Sequence, residues 1–488
     1  MSYLNNLKEA NNYTLTTNGA TSHASTLNGL MDLFALGGAY RSRSDDDCIT
    51  LFKKAFEEDE SYAMKCLYYI RDIRGGQGER RFFRVILKWL ADNHSDAVLR
   101  NMEYIPVVGR WDDLYVLDGT PLEKDMYKFM KQQFLLDLNC KTPSLLAKWM
   151  KSENASSKES RRLACKTIKM FGMNPKMYRK VLATLRERIN VLERLMSEGR
   201  FDEIEFDKIP SRAGIIYRNA FARNDMTKAR YEAFIKSKET KVNAGALYPV
   251  DVAHKAFRAS RLPYDDPERL ALQKYWENLP NYYGGREENG IAIVDVSGSM
   301  TGTPMEAAVS LGAYIAEKAH GPFANHFITF SARPELVEFN GVDITDKLNR
   351  CASADWGMNT NLEAVFDMLL NVALANNTPQ EDMPTRLYIF SDMEFDMALQ
   401  EWGRWKTGFN PDTLVEGIAK KWAARGYKMP DIVFWNLDAR QDNIPAIGEG
   451  FSYISGFSPV MIEQILSGKT GLDLVMEKLN SERYKNIH

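Results

Sequence analysis

In the second half of this 488-residue chain, five oxygen-bearing residues are spaced as a hard cation would need them. The run Asp295-Val296-Ser297-Gly298-Ser299-Met300 sets a carboxylate and two hydroxyls on alternate residues of a glycine-containing turn. Gly357-Met358-Asn359-Thr360-Asn361-Leu362 adds a hydroxyl at Thr360, and Ser391-Asp392 adds a carboxylate at Asp392. Oxygen-only ligation suits Mg²⁺ or another divalent cation, with water filling the remaining positions. Each piece also has a plain structural use: Ser297 and Ser299 could cap the next helix, Thr360 could cap its own, and Asp392 could start a turn.

The elements around these residues decide whether they meet. Ile291-Ala292-Ile293-Val294 is a short apolar run of the kind found in buried parallel strands. After it the pattern alternates: helix Pro304–Lys318, strands His326–Ser331 and Glu335–Phe339, helix Asn361–Leu374, strand Arg386–Phe390, helix Pro411–Ala424, strand Asp431–Trp435, a short strand near Ser452–Ile454, and helices after Pro459. Strands alternating with helices of this length predict a doubly wound α/β sheet over 286–488. Ligands bind such sheets beyond the carboxyl ends of the strands, where the strand order reverses, and the oxygen-bearing residues fall at strand ends or the start of a helix.

Upstream, from about residue 26 to 285, the periodicity is helical. Phe82, Val85, Ile86, Trp89 and Leu90 recur at three- and four-residue spacing, and similar stripes run through Ile49–Phe56, Ala63–Ile73, Met126–Leu138, Tyr178–Met196 and Leu270–Leu279. Breaks fall at Gly75-Gly76, Pro106, Pro121, Pro143 and Pro175. Helices that cannot bury their stripes alone must stack pairwise, which predicts an α-helical repeat array preceded by an extension over 1–25. The turn Gly75-Gly76-Gln77-Gly78-Glu79-Arg80 lacks a preceding strand and a Gly-Lys-Ser/Thr ending, so it reads as a helix–helix turn rather than a phosphate loop.

Charge divides the chain in the same place. Residues 1–285 carry 46 Lys and Arg against 37 Asp and Glu, and residues 286–488 carry 17 against 28. A basic first half suits a polyanionic partner, or simply docks the acidic second half. The basic residues concentrate at Lys148, Lys151, Lys158, Arg161, Arg162, Lys166, Lys169, Lys176, Arg179, Lys180, Arg186 and Arg188, and a helical array with such a face would neutralise several phosphates. Arg74, Arg80, Arg81 and Arg110, at turns between helices, are further candidate RNA contacts. The five cysteines are far apart and the six histidines show no zinc spacing, which points to a reducing compartment. With no basic-apolar leader and no long apolar run, the expectation is a cytoplasmic protein without a membrane partner.

Two resemblances add to this. Asp295-x-Ser297-x-Ser299, then Thr360, then Asp392 resembles the metal-ion-dependent adhesion site of von Willebrand factor A domains, a Rossmann-like fold. That resemblance implies that the serines and threonine touch the metal, that the aspartates act mostly through water, and that a partner carboxylate completes the sphere. Met393-Glu394-Phe395-Asp396 replaces the glycine that many such domains carry after the last aspartate. In the helical half, Arg71-Asp72-Ile73-Arg74-Gly75-Gly76-Gln77-Gly78-Glu79-Arg80, Val108-Gly109-Arg110-Trp111-Asp112-Asp113-Leu114 and Met177-Tyr178-Arg179-Lys180 resemble TROVE-type proteins, the Ro autoantigen family, and more nearly their bacterial and phage relatives. This implies a HEAT-like ring or crescent, closed by the A domain, that binds small structured RNAs or single-stranded 3′ ends. The expected function is therefore a monomeric, non-catalytic RNA-binding protein with a Mg²⁺-dependent site for a protein ligand. A metal-dependent interaction scaffold without RNA is the alternative, and a hydrolase using Asp295 and Asp392 is a third reading.

Overall fold

The computed structural model describes residues 3–330, 333–352, 360–397 and 413–488. Ser331, the Gly357-Met358-Asn359 turn and Pro411, all named above, lie outside the described residues.

Local signals start and stop the helices of the first half. Ser44 and Asp47 exchange side-chain and backbone bonds in a capping box that opens the helix Asp45–Glu58. Ser157 caps Lys158–Phe171, left-handed Gly172 ends it, and Asn174 with Pro175 opens Pro175–Arg188. The helix Arg81–Asn93 buries Phe82, Ile86 and Leu90 as expected, with Phe83 and Leu87 beside them and Val85 and Trp89 at the edge. Truncating one such phenylalanine to alanine costs about 3–5 kcal/mol. Within the turn at 75–80, a Cβ on Gly76 would collide with the Tyr69 carbonyl oxygen, so only glycine fits.

The helical array returns on itself. Tyr248, just before the helix Pro249–Ala256, donates its hydroxyl to the Ile73 carbonyl at 3.1 Å. Both ends of the array also rest on the second half. Early in the chain, Ser455 donates its hydroxyl to the Phe34 carbonyl and accepts the Gly38 N–H, both at 3.0 Å. Late in the array, Arg269 forms a bidentate pair with Asp343 at 2.7 and 2.8 Å. The C-terminal residues Arg483 and Tyr484 both donate to Asp72.

The second half is a six-stranded sheet. Its strands are β3 (Gly290–Val294), β4 (His326–Thr329), β5 (Leu336–Glu338), β6 (Arg386–Ser391), β7 (Asp431–Asn436) and β8 (Phe451–Ser455), in the order β5-β4-β3-β6-β7-β8. All neighbours are parallel except β4 and β5. From β3 the chain winds first toward β5 and then crosses back to β6, so the switch point lies between β3 and β6.

Two elements were not among the expected ones. The helix Ile344–Ala352 buries Ile344, Leu348 and Cys351. A small hairpin, β1 (Tyr13–Leu15) paired with β2 (Thr21–His23), lies within the first 25 residues and packs on the loops after β6 and β7. No helix among the described residues is long and apolar enough to cross a membrane.

Candidate metal centre and basic face

At the switch point, β3 and β6 deliver Asp295 and Asp392 at their carboxyl ends. Backbone pairing carries one residue past β3, because the Asp295 N–H donates to the Phe390 carbonyl at 3.0 Å. The Asp295 carboxylate is fully buried; Oδ1 accepts the Ser297 N–H at 2.8 Å and Oδ2 accepts the Ser391 hydroxyl at 2.6 Å. Ser297 and Ser299 bring their hydroxyl oxygens to 2.8 Å of each other. Asp392 is 1% exposed; its Oδ1 accepts the Glu394 N–H at 3.2 Å, while Oδ2 is buried without a hydrogen-bond partner among the described residues. Among the described residues the nearest cationic group is Arg440, with Nε 3.9 Å from that oxygen and a guanidinium nitrogen donating to the Ser299 carbonyl.

The electrostatics follow from this geometry. Burial, reinforced by the neighbouring Asp392 charge, pushes the Asp295 carboxyl up to about 7. Burial also raises Asp392, against the opposing Ser299 hydroxyl and Arg440 guanidinium. Two buried carboxylates with an orphaned oxygen and one half-exposed arginine form a negative pocket whose donors suit a hard cation. Asp295, Ser297, Ser299 and Asp392 are thus gathered in one place.

Thr360 sits on the same rim but bonds elsewhere. Its hydroxyl lies 3.1 Å from both the Glu394 carbonyl and Asp396 Oδ1, and it accepts an N–H from Asn18 at 3.0 Å. The helix Leu362–Asn376 is capped by Asn361, not Thr360. Likewise neither Ser297 nor Ser299 caps the helix Thr303–Lys318, whose cap residue is Gly302. The capping uses open to these hydroxyls in sequence are not the ones they serve. Ser391, Asn18 and Arg440 were not among the candidates; Asn18-Gly19 is a dipeptide that marks a hairpin turn, but nothing local places Asn18 or Arg440 at this site.

The basic residues divide into committed and uncommitted groups. Arg162 pairs with Asp118 and Glu159, Arg179 with Glu153, Lys148 with Glu193 at 3.5 Å, and Arg81 with Asp45. Arg161 donates to the carbonyls of Ala155 and Ser156. Arg110 lies 4.6 Å over the Trp149 ring and Lys151 lies 5.3 Å over Tyr115. Burial, with Arg71 and Arg80 nearby, lowers Arg110 from the usual guanidinium range. In contrast, Arg74, Arg80, Lys158, Lys169, Lys176 and Lys180 are exposed, and their side chains make no ion pair among the described residues. A cleft of about 640 Å³ opens along the helix Pro175–Arg188, lined in part by Lys148, Tyr178, Arg179 and Arg186.

Comparison with known proteins fits this division of the chain. The family described as "Domain of unknown function (DUF7788)" matches residues 289–486, and "Domain of unknown function (DUF2828)" matches residues 16–170 and 137–279. An uncharacterized protein of Acanthamoeba polyphaga mimivirus is 28% identical over 503 residues, covering 94% of this chain and 85% of that protein. The crystal structure of the Deinococcus radiodurans Ro (RSR) protein aligns with 94% of this chain and 100% of its own, at 15% identity and a TM-score of 0.48. The DUF2828 matches together span residues 16–279, more than half of the chain, and the protein belongs to the DUF2828 family.

Proposed function

We propose that this is a non-catalytic RNA-binding protein of the Ro type. In this reading it acts as a cytoplasmic monomer whose helical array takes small structured RNA or single-stranded 3′ ends. The observation that carries this is the set of uncommitted cations. Lys158 and Lys169 on one helix, and Lys176 and Lys180 on the next, are exposed and make no ion pair among the described residues. Cations held this way gain more from phosphates than cations already paired, because no existing bond must break. The resemblance of residues 71–80 and 108–114 to TROVE-type tracts supports the same partner. At the strand ends, Asp295, Ser297, Ser299, Thr360 and Asp392 would hold Mg²⁺ or another divalent cation in a von Willebrand A-type adhesion site. When bound, the cation supplies an open coordination position for a carboxylate of a protein partner.

The test is to purify the full chain from its own cells and sequence the nucleic acid that accompanies it, then measure RNA affinity against salt. A defined RNA population and a steep log–log salt slope are expected. The paired state of Arg162, Arg179 and Lys148 favours a second reading, a metal-dependent interaction scaffold whose basic residues only hold the array together. Recovery of a protein partner released by EDTA, with no RNA at any salt, would establish that reading instead.

A further inference from the structure

We propose that Asn18 is a positioning residue of the strand-end site, tying two of its segments together from outside the sheet. This rests on the metal reading above. The turn between β1 and β2 is closed by Thr16, whose N–H donates to the Ala20 carbonyl and whose hydroxyl accepts the Ala20 N–H, both at 2.9 Å. Gly19 supplies the left-handed backbone the turn needs, with φ +88°. The closed turn is seated on the segment after β6. Thr16 donates its hydroxyl to the Phe395 carbonyl at 2.7 Å, the Thr17 N–H donates to Glu394 Oε2 at 2.5 Å, and the Met397 N–H donates to the Asn18 carbonyl at 3.3 Å. Glu394 is 2% exposed; one of its oxygens anchors the turn, and Asn443 donates to the other at 3.0 Å, so both oxygens have a partner.

The bridging is done by one amide. Asn18 Nδ2 donates to the Glu394 carbonyl at 2.6 Å and to the Thr360 hydroxyl at 3.0 Å, which uses both of its hydrogens. Thr360 already meets the same segment through its carbonyl, which accepts the Asp396 N–H at 3.0 Å, and through its hydroxyl, 3.1 Å from the Glu394 carbonyl and from Asp396 Oδ1, two acceptors between which its proton can turn. Asn18 adds the donor that fixes one lone pair of that oxygen. With one lone pair engaged by Asn18 and the proton given to Glu394 or Asp396, the hydroxyl keeps one lone pair for a cation. The proposed ligands come from three separate stretches of chain, and outer-shell contacts that fix such stretches govern metal affinity.

The experiment is a calorimetric titration of the full chain with Mn²⁺. Asn18→Ala and the near-isosteric Asn18→Asp, which lacks the donors, are expected to weaken binding by about 10- to 100-fold. Gln441→Ala is the control: it removes a 3.0 Å bond to the Thr17 hydroxyl in the same turn but touches neither Thr360 nor Glu394, so its Kd should match wild type. Wild-type affinity in both Asn18 variants overturns the inference. So does an equal loss in Gln441→Ala, which would mean that loosening the hairpin anywhere is enough. If the wild-type chain itself binds no Mn²⁺, the metal reading fails and this inference fails with it. If only the Asn18 variants behave as wild type, the metal reading stands.

Discussion

At the strand ends, Asp295 and Asp392 are 0% and 1% exposed, and nearly every polar atom around them is assigned a partner. On the helices 158–171 and 175–188, the candidate contacts stand in solvent, and Arg161, Arg162 and Arg179 are spent on neighbouring acids or carbonyls. The first region is convergent: a few groups, drawn from several stretches of chain, share one small volume. The second is distributive: many like charges spread over a surface, none indispensable. A convergent site should fail entirely when one member is removed and should ignore salt, whereas a distributive face should weaken in steps and follow salt closely.

The largest expected effect breaks the two regions apart. Asp295→Ala should lower Mn²⁺ or Mg²⁺ affinity by more than about 100-fold while leaving RNA affinity unchanged, read by titration of one preparation with both ligands. A parallel loss of RNA binding would show that the two regions are one site. Next comes the face itself. Replacing Lys158, Lys169, Lys176 and Lys180 by Glu should flatten the log–log salt slope of RNA binding by about 3, at 0.7 to 0.9 for each lost phosphate contact. Metal binding should not change. A smaller effect sharpens the distinction between free and paired cations. Lys176→Ala should reduce the slope by nearly one contact, whereas Arg162→Ala should barely alter it, because Arg162 is already held by Asp118 and Glu159.

Lys478 is a useful contrast to both regions. It is 7% exposed; its ammonium lies 5.9 Å from the centre of the Tyr69 ring and makes no hydrogen bond or ion pair among the described residues, yet it lines no strand-end site. Burial pushes its ammonium down to about 8, from 10.5. Between those values the unfolded chain binds more protons than the native one, so stability should rise with pH across that window and be lowest, and flat, below it. Lys478→Met should remove that dependence and raise stability at neutral pH by roughly 2 kcal/mol, with no effect on either ligand. Chemical denaturation at pH 7 and pH 10 checks it.

Much of this was legible from residue order. Asp295, Ser297 and Ser299 lie within five residues, so one turn sets their geometry, and the apolar run before them marks the strand. Asp392 could be placed because β6 is a continuous buried run with an obvious end. The hairpin was missed, since strands of three residues have no measurable periodicity and only the Asn18-Gly19 dipeptide marks its turn. The helix Ile344–Ala352 also escaped, although Ile344, Leu348 and Cys351 recur at helical spacing, because the segment is brief and mostly polar. The basic tract was visible as a count of charges, but a count does not show that Arg162 faces Asp118, 44 residues away. Asn18 meets Thr360 across 342 residues, a pairing that only tertiary structure sets.

That separation has a consequence for how the protein is made. The turn at 16–20 leaves the ribosome ahead of Glu394, which anchors it and follows 377 residues later. At about 5 to 20 residues per second, this amounts to roughly 20 to 75 seconds of translation. During that interval the hairpin has no surface to rest on, so its docking belongs among the last steps of maturation, and anything that shields the nascent hairpin must let go before the rim can form.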